Sequence, residues 1–366
     1  MSAFARPASA PLAVRLHERI AREGPISVAD YMDACLTDAR GGYYTSRQPI
    51  GASGDFITAP EISQIFGELI GLWAACVWQA MGAPTSVIVA EFGPGRGTLL
   101  ADAMRAWRSA KAFADSVSLA LIERSQVLRE TQKETLRGAS QPIRWHETLD
   151  AVPRGLPLIV IANEFLDALP VRQFVRRKGV WRERCVGLNA GGRLAFTEGS
   201  TVDDGTLPEA PEGAIIERRP ATGRLLASLA ARAKEAPLTA LFIDYGHERS
   251  GLGDTLQAVR HHRYADPLAA PGETDLTAHV DFAALKREAE ALGLKAYGPM
   301  PQGEFLIRLG LLERRDRLIA AARPEQRELI SSGAARLADP SRMGVLFKVL
   351  ALASDGLATP PPFGEI

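Results

Sequence analysis

The sequence predicts an α/β fold built on a mainly parallel sheet, and three observations carry that prediction. Short apolar, β-branched runs recur at residues 87–89, 117–122 and 158–162, with helix-length segments between them. Strands buried on both faces and joined by helices pair in parallel. Glycines then alternate directly after the first run, at Gly93, Gly95 and Gly97, before a helical pattern begins. Strand, tight turn and helix in that order open a nucleotide-type pocket at the strand's carboxyl end.

Residues 11–40 read as two helices broken at Gly24-Pro25, with Ser27 capping the second. Residues 41–58 are glycine-rich and aromatic, too polar for a strand. Thr58 and Glu61 fit a capping box that opens a helix over about residues 60–81. Gly67 and Gly71, four apart in that helix, predict close packing on a neighbour. Thr98 is the expected cap of the helix after the glycine loop. The second strand, 117–122, ends at Glu123 and the third, 143–146, at Glu147. Residues 158–162 and 239–243 make the fourth and fifth strands. Residues 281–292 form an amphipathic helix, and 294–297 with 304–309 are expected to close a seven-stranded sheet as a hairpin-like pair.

Between the fourth and fifth strands, turn signals at Lys178-Gly179 and at residues 189–192 mark an inserted β-rich segment. Residues 311–366 read as helical with a Pro-rich end. The expected division is a helical N-terminal region (1–81), a sheet core (82–170 and 219–310), a hairpin insert (171–218) and a C-terminal helical extension (311–366).

Composition narrows the function classes. Apolar residues make up 46% and charged residues 23%, with a formal net charge of zero. That balance supports a substantial core and leaves no electrostatic footprint for nucleic acid or a membrane surface. The arginines within 172–184 read as a solvated hairpin face. Cys35, Cys76 and Cys185 are far apart and point to a reducing compartment without a disulfide framework. No apolar run reaches the roughly 20 residues that span a bilayer. His261-His262 lacks a carboxylate or cysteine at ligand spacing, so no metal is expected. Residues 1–17 contain no acid, as in a transit peptide. The helical pattern that begins at Leu12 favours instead a short lead-in to a cytoplasmic protein.

What the glycine loop holds follows from its spacing. A phosphate loop needs a lysine that is missing here, and a dinucleotide loop needs its third glycine one residue later. The E-x-G-x-G-x-G form, from Glu91 through Gly97, resembles the first motif of S-adenosylmethionine-dependent methyltransferases. In those enzymes the loop lies against the methionine end of the cofactor. Glu123 suits a ribose diol, since a carboxylate accepts from both hydroxyls; a second reading makes it a cap for the helix starting near Ser125. Glu147 is placed near the adenine.

The fourth strand runs into Asn163, Glu164 and Asp167. Two carboxylates three apart share one face of a helical turn and suit a cationic nucleophile. A guanidinium, with a pKa of about 12 or more, is a poor attacker until a carboxylate orients it. Asp167 has a second reading as a turn cap before Pro170. After the fifth strand Asp244 lies beside the same crevice and Tyr245 walls it. His247 is either a general base or structural.

Seven stretches together resemble one family: GGYY (41–44), GDFITAPEISQIFGELIG (54–71), EFGPGRGTL (91–99), NEFLDALPV (163–171), FIDYGH (242–247), GDTLQAV (253–259) and TDLTAHVDF (274–282). They are similar to the MidA family of S-adenosylmethionine-dependent methyltransferases, whose human-type motif carries His at the position of Asn163. The resemblance implies a Rossmann-like, seven-stranded class I methyltransferase sheet with a helical N-terminal segment and an inserted β-rich subdomain. It implies S-adenosyl-L-methionine as cofactor, held by Gly93, Gly95, Gly97 and Glu123, with Glu91, Glu147 and Asn163 placed beside them. Glu164 and Asp167 then face the substrate, joined by Asp244, and GDFITAPE closes over the site. The implied reaction is arginine methylation of a protein partner in respiratory complex I assembly. Its location is the bacterial cytoplasm, or the mitochondrial matrix in a eukaryote. A non-catalytic cofactor-binding assembly factor and a small-molecule methyltransferase are the competing readings.

Overall fold

The structure, a computed structural model, describes residues 10–46, 58–203, 205–260 and 263–364. The chain divides into two compact units: residues 1–49, 168–220 and 251–278 form one, and residues 50–167, 221–250 and 279–366 the other. These cuts differ from the sequence-based boundaries. The insert recruits residues 251–278 as well as the N-terminal helices, and the large unit extends to the C-terminus.

The large unit is a mixed α/β sheet. Its strands are β1 (Val87–Phe92), β2 (Val117–Ile122), β3 (Ile143–His146), β4 (Leu158–Asn163), β5 (Leu238–His247), β6 (Lys295–Pro301) and β7 (Phe347–Ala353). Their order across the sheet is β6-β7-β5-β4-β1-β2-β3, and the two residues Val280–Asp281 pair with the end of β5 as an eighth strand. Strands β1 to β5 run parallel to one another. β7 is antiparallel to both β5 and β6. Every residue of β1 and β4 is buried, as central strands covered on both faces require. The register sets Phe92 beside Ile122 and beside Ala162, so the ends of β1, β2 and β4 finish together.

The expected closing pair is corrected here. Residues 302–308 are helical, and the last strand is Phe347–Ala353, far into the predicted helical extension. In 304–309 the side chains of Phe305 and Leu306 are both buried while Ile307 is 44% exposed, a helical rather than alternating pattern. FKVLALA is buried at all seven positions, because it lies between two strands.

The helices of this unit are α1 (Ala59–Ile62), α2 (Gln64–Ala80), α3 (Thr98–Trp107), α4 (Gln126–Thr135), α5 (Pro220–Ala233), α6 (Phe282–Ala291), α7 (Gln302–Arg308), α8 (Leu311–Ala321) and α9 (Pro324–Ala338), with a short helix at Lys111–Ser116 and another at Met343–Leu346. The single helix expected over 60–81 is broken at Ser63, an extended residue whose hydroxyl accepts from the Ile65 N–H. Gly67 and Gly71 do pack closely: a Cβ at Gly71 would lie 2.6 Å from Ala103 Cα. Trp107 closes the same contact by donating to the Gly71 carbonyl at 2.9 Å.

In the smaller unit, helices Leu12–Glu23 and Val28–Thr37 flank Ile26–Ser27, which pairs with Val180–Leu188. Ser27 caps the second helix through the Asp30 N–H. Lys178-Gly179 turns the chain with positive φ at both residues, the geometry a two-residue hairpin needs. The arginines of this hairpin are largely paired: Arg172 with Glu183, Arg177 and Arg182 with Glu198, and Arg184 with Asp254. Three of the recognised stretches meet in this unit. Tyr44 donates to Asp275 at 3.0 Å, Gln173 bridges Glu217 and Asp254, and the Thr255 N–H reaches Glu217 at 3.1 Å. Their described contacts hold the unit's own sheets together.

Candidate functional site

The glycine loop needs its glycines for conformation. Gly93, Gly95 and Gly97 have φ of 58°, 54° and 82°, a region that costs other residues roughly 1 kcal/mol or more. Gly97 is the N-cap of α3 in a left-handed conformation, so Thr98 is the first helical residue and not the cap. Thr98 instead donates its hydroxyl to Glu61 Oε1, and Arg96 donates to Glu61 Oε2 at 3.2 Å. This corrects the capping-box reading: Thr58 makes no side-chain cap, and Glu61 reaches across to the glycine loop. A Cβ at Gly93 would meet Phe165 at 3.2 Å, so the loop after β1 lies directly against the one after β4.

Glu91, the penultimate residue of β1, is 3% exposed and its Oε2 has no hydrogen-bond partner. Burial pushes its carboxyl up to about 8. Glu123 is also buried, and burial raises its carboxyl despite the Ser125 N–H at 2.7 Å and the Gln132 amide at 3.3 Å. Ser125 itself caps α4 through the Leu128 N–H, so Glu123 is not the helix cap. Gln132 is a residue sequence reasoning missed. Fully buried, it donates to the Gly95 carbonyl at 2.9 Å and accepts from Trp145 Nε1 at 2.9 Å. Its signal was faint, a polar residue on the buried side of an amphipathic helix. Glu147 is exposed just beyond β3.

After β4 the chain does not become helical. Glu164 has φ 49°, its N–H donates to the Ile243 carbonyl at 2.8 Å, and its Oε1 accepts from the Ala59 N–H at 2.9 Å and from Asn163 Nδ2 at 3.2 Å. Glu164 and Asp167 are thus brought close by a turn and not by a shared helix face. Burial raises the Glu164 carboxyl to about 7; the Asp167 charge adds to this, while the Ala59 N–H, Asn163 and Arg336 oppose it. Asn163 is buried with its Oδ1 unpartnered.

Asp244 has a different place from the one expected. Its Oδ2 accepts from the N–H groups of Phe165, Leu166 and Asp167 at 3.2, 2.9 and 3.1 Å, and its Oδ1 from Tyr245 at 2.9 Å. With both oxygens committed to the backbone, it shapes the loop from beneath. Tyr245 packs edge-on against His279 and Phe347. His247 lies 3.9 Å from Asp281. Burial raises the Asp281 carboxyl, but hydrogen bonds from His247, Ala284 and Ser250 outweigh it and bring it down to about 2.

The fold therefore gathers the glycine loop, Glu91, Glu123, Asn163 and Glu164 at the carboxyl ends of β1, β2 and β4. Two buried oxygens there have no partner in the protein: Asn163 Oδ1, an acceptor, and Glu91 Oε2, on a carboxyl that burial keeps protonated and so able to donate. Among the described residues no group of His, Cys, Asp and Glu could hold a metal ion, and His261-His262 lies outside them. Of GDFITAPE, residues 54–57 also lie outside, while Thr58 to Glu61 border Glu164 and the loop.

A left-handed glycine loop between a buried acid and a helix, tied to a second-strand carboxylate, defines an enzyme that binds S-adenosylmethionine and transfers its methyl group. Residues 69–300 match the family described as putative S-adenosyl-L-methionine-dependent methyltransferase, and the chain belongs to that family. It is 37% identical to the mitochondrial protein arginine methyltransferase NDUFAF7 homolog of Drosophila melanogaster, over 95% of this chain and 86% of that one. It is 35% identical to the protein arginine methyltransferase NDUFAF7, mitochondrial, of Homo sapiens, over 93% of this chain and 83% of that one. Among solved structures it resembles a COG1565 superfamily member from Burkholderia thailandensis bound to S-adenosyl-homocysteine. That likeness has a TM-score of 0.80 and 30% identity, covering 95% of this chain and 92% of the other.

Proposed function

We propose that this methyltransferase acts on an arginine side chain of a protein, and that its sheet is the Rossmann-like class I arrangement. The strand order β6-β7-β5-β4-β1-β2-β3, with one antiparallel strand, supports the second point. The relatives named as protein arginine methyltransferases support the first. The observation that carries the reading is Glu164: a carboxylate in a left-handed turn, fixed by the Ala59 N–H beside the cofactor loop.

In this reading Gly93, Gly95 and Gly97 admit the cofactor's methionine end against the backbone. Glu123 accepts from the ribose hydroxyls, Glu147 lies by the adenine, and inside Asn163 offers an acceptor and Glu91 a protonated carboxyl. Bound S-adenosylmethionine supplies a methyl group on a positively charged sulfur. Glu164 holds the substrate guanidinium by charge-assisted hydrogen bonds and turns one nitrogen toward that methyl. Asp167 adds a second negative charge, and Asp244 positions both by binding the backbone between them. As nitrogen takes the methyl, the proton it loses can pass to Glu164, whose carboxyl near 7 suits it to accept one.

The partner in this reading is the one the family resemblance implies, a subunit of respiratory complex I, met in the bacterial cytoplasm or the mitochondrial matrix; the relatives' names print a mitochondrial location for those proteins. No described helix is long and apolar enough to cross a membrane. The test is mass spectrometry of proteins captured with this chain, from cells with and without its gene. Loss of methylarginine on one captured protein is expected; unchanged methylarginine throughout would overturn the reading.

A further inference from the structure

The first turn of α3 is where the anionic end of a ligand would be drawn, because its free N–H groups point outward. In this chain that place already has a carboxylate. Glu61 is held there by the Thr98 hydroxyl and by Arg96. A second carboxylate beside it would be repelled. Of the other polar groups near the ends of β1 and β4, Asn163 Oδ1 is an acceptor, Glu91 a protonated carboxyl, and Glu164 the carboxylate turned to the substrate. None of them supplies a positive charge to the cofactor. Its α-carboxylate needs a cation from elsewhere.

Helix α9 brings one. A Cβ at Gly333 would lie 3.2 Å from the Ile62 carbonyl and 3.4 Å from Ser63 Cβ, so α9 packs against the end of α1. Ala334 and Leu337 anchor the helix in the core, at 2% and 0% exposure. Arg336 follows Gly333 by three residues and therefore leaves the same side of the helix. Ala59, which opens α1, is the residue that binds Glu164. Arg336 is half-buried, and among the described residues it makes no hydrogen bond or ion pair. Its charge is felt at Glu164, where it favours the ionised form.

We propose that Arg336 binds the α-carboxylate of the methionyl end of S-adenosylmethionine, pairing its planar guanidinium with the two oxygens. The proposal rests on the cofactor site described above. It makes the chain between β6 and β7 part of that site, although the family match ends at residue 300. Arg336 also explains how one crevice, rich in carboxylates, accepts a ligand that carries a carboxylate itself.

Titration calorimetry separates this from a structural role. The ligands are S-adenosylhomocysteine and 5′-methylthioadenosine, which has the same nucleoside and sulfur but no amino-acid end. Arg336→Ala should weaken S-adenosylhomocysteine about 10- to 100-fold, the worth of a charge-assisted pair, and change methylthioadenosine less than about twofold. Arg336→Lys should recover part of the loss. Unchanged S-adenosylhomocysteine affinity in Arg336→Ala, or an equal loss for both ligands, overturns the proposal. So does a selective loss in Arg96→Ala alone, which would give the carboxylate to Arg96. If the unaltered chain binds neither ligand, the cofactor site itself fails, a result distinct from all of these.

Discussion

Gln132 donates one amide N–H to the Gly95 carbonyl at 2.9 Å and reaches Glu123 Oε2 at 3.3 Å. Its Oε1 accepts from Trp145 Nε1 at 2.9 Å. An indole N–H only donates and a carbonyl only accepts, so the amide has one orientation. One side chain of α4 thereby sets the spacing between the glycine loop and the second-strand carboxylate. Gln132→Leu keeps the volume but leaves buried polar groups unpaired, at about 1–3 kcal/mol each. The expected outcome is a fall of about tenfold in S-adenosylhomocysteine affinity, with a lower Tm. Calorimetry and thermal melting check both, and unchanged affinity would remove Gln132 from the site.

Glu164 is the group on which turnover should depend most. Glu164→Gln keeps the shape and the Ala59 contact but removes the charge that holds a guanidinium. Methyl transfer should drop on the order of 100-fold or more, while S-adenosylhomocysteine binding stays within a few fold. Because the native carboxyl lies near 7, the charged form is lost as pH falls through 7. Turnover of the unaltered enzyme should therefore decline below about pH 7. A variant that turns over normally would end the assignment.

Glu91 makes stability depend on pH in the opposite sense from a paired surface acid. Burial raises its carboxyl from 4.5 to about 8, so the native state keeps a proton that the unfolded chain has lost. Stability is then full below the unfolded value and is lost as pH rises through the native one. Glu164, raised to about 7, acts with the same sign. The Tm of the cofactor-free protein should fall between pH 5 and 8, and Glu91→Gln should flatten part of that slope. Melting curves across this range test it; an identical slope in the variant contradicts it.

Gly71 should be intolerant of any side chain. A Cβ there would lie 2.6 Å from Ala103 Cα and 2.9 Å from the Ala103 carbonyl oxygen, both backbone. Gly71→Ala must push α2 and α3 apart, a strain of about 1–3 kcal/mol. Denaturant unfolding should show that loss, whereas Gly138→Ala, which meets no atom within 4 Å, should show little.

Much of the site could be read from local pattern. The acid, the three glycines and the helix after them are contiguous, and so are Asn163, Glu164 and Asp167. Elements that depend on distant partners were harder. The final strand hid within a helical-looking extension because a strand buried on both faces has no alternation, and its partners lie far away in the chain. Glu61 matched a local capping pattern, but Thr98 and Arg96 offered it stronger donors across the fold. Asp244 looked catalytic by position, and only the folded loop shows three N–H groups converging on one of its oxygens.

By itself, then, the sequence determined the parallel sheet, the glycine loop and the acidic turn after β4. Each depends on near neighbours: apolar runs long enough for a strand, and glycines where φ must be positive. Tertiary structure alone decided which polar groups are already paired. It committed Asp244 and Glu61 to the protein, left one buried oxygen each of Glu91 and Asn163 without a partner, and set Gln132 between loop and carboxylate. A buried polar atom is matched or orphaned by what packs against it, and in this fold those partners come from distant segments.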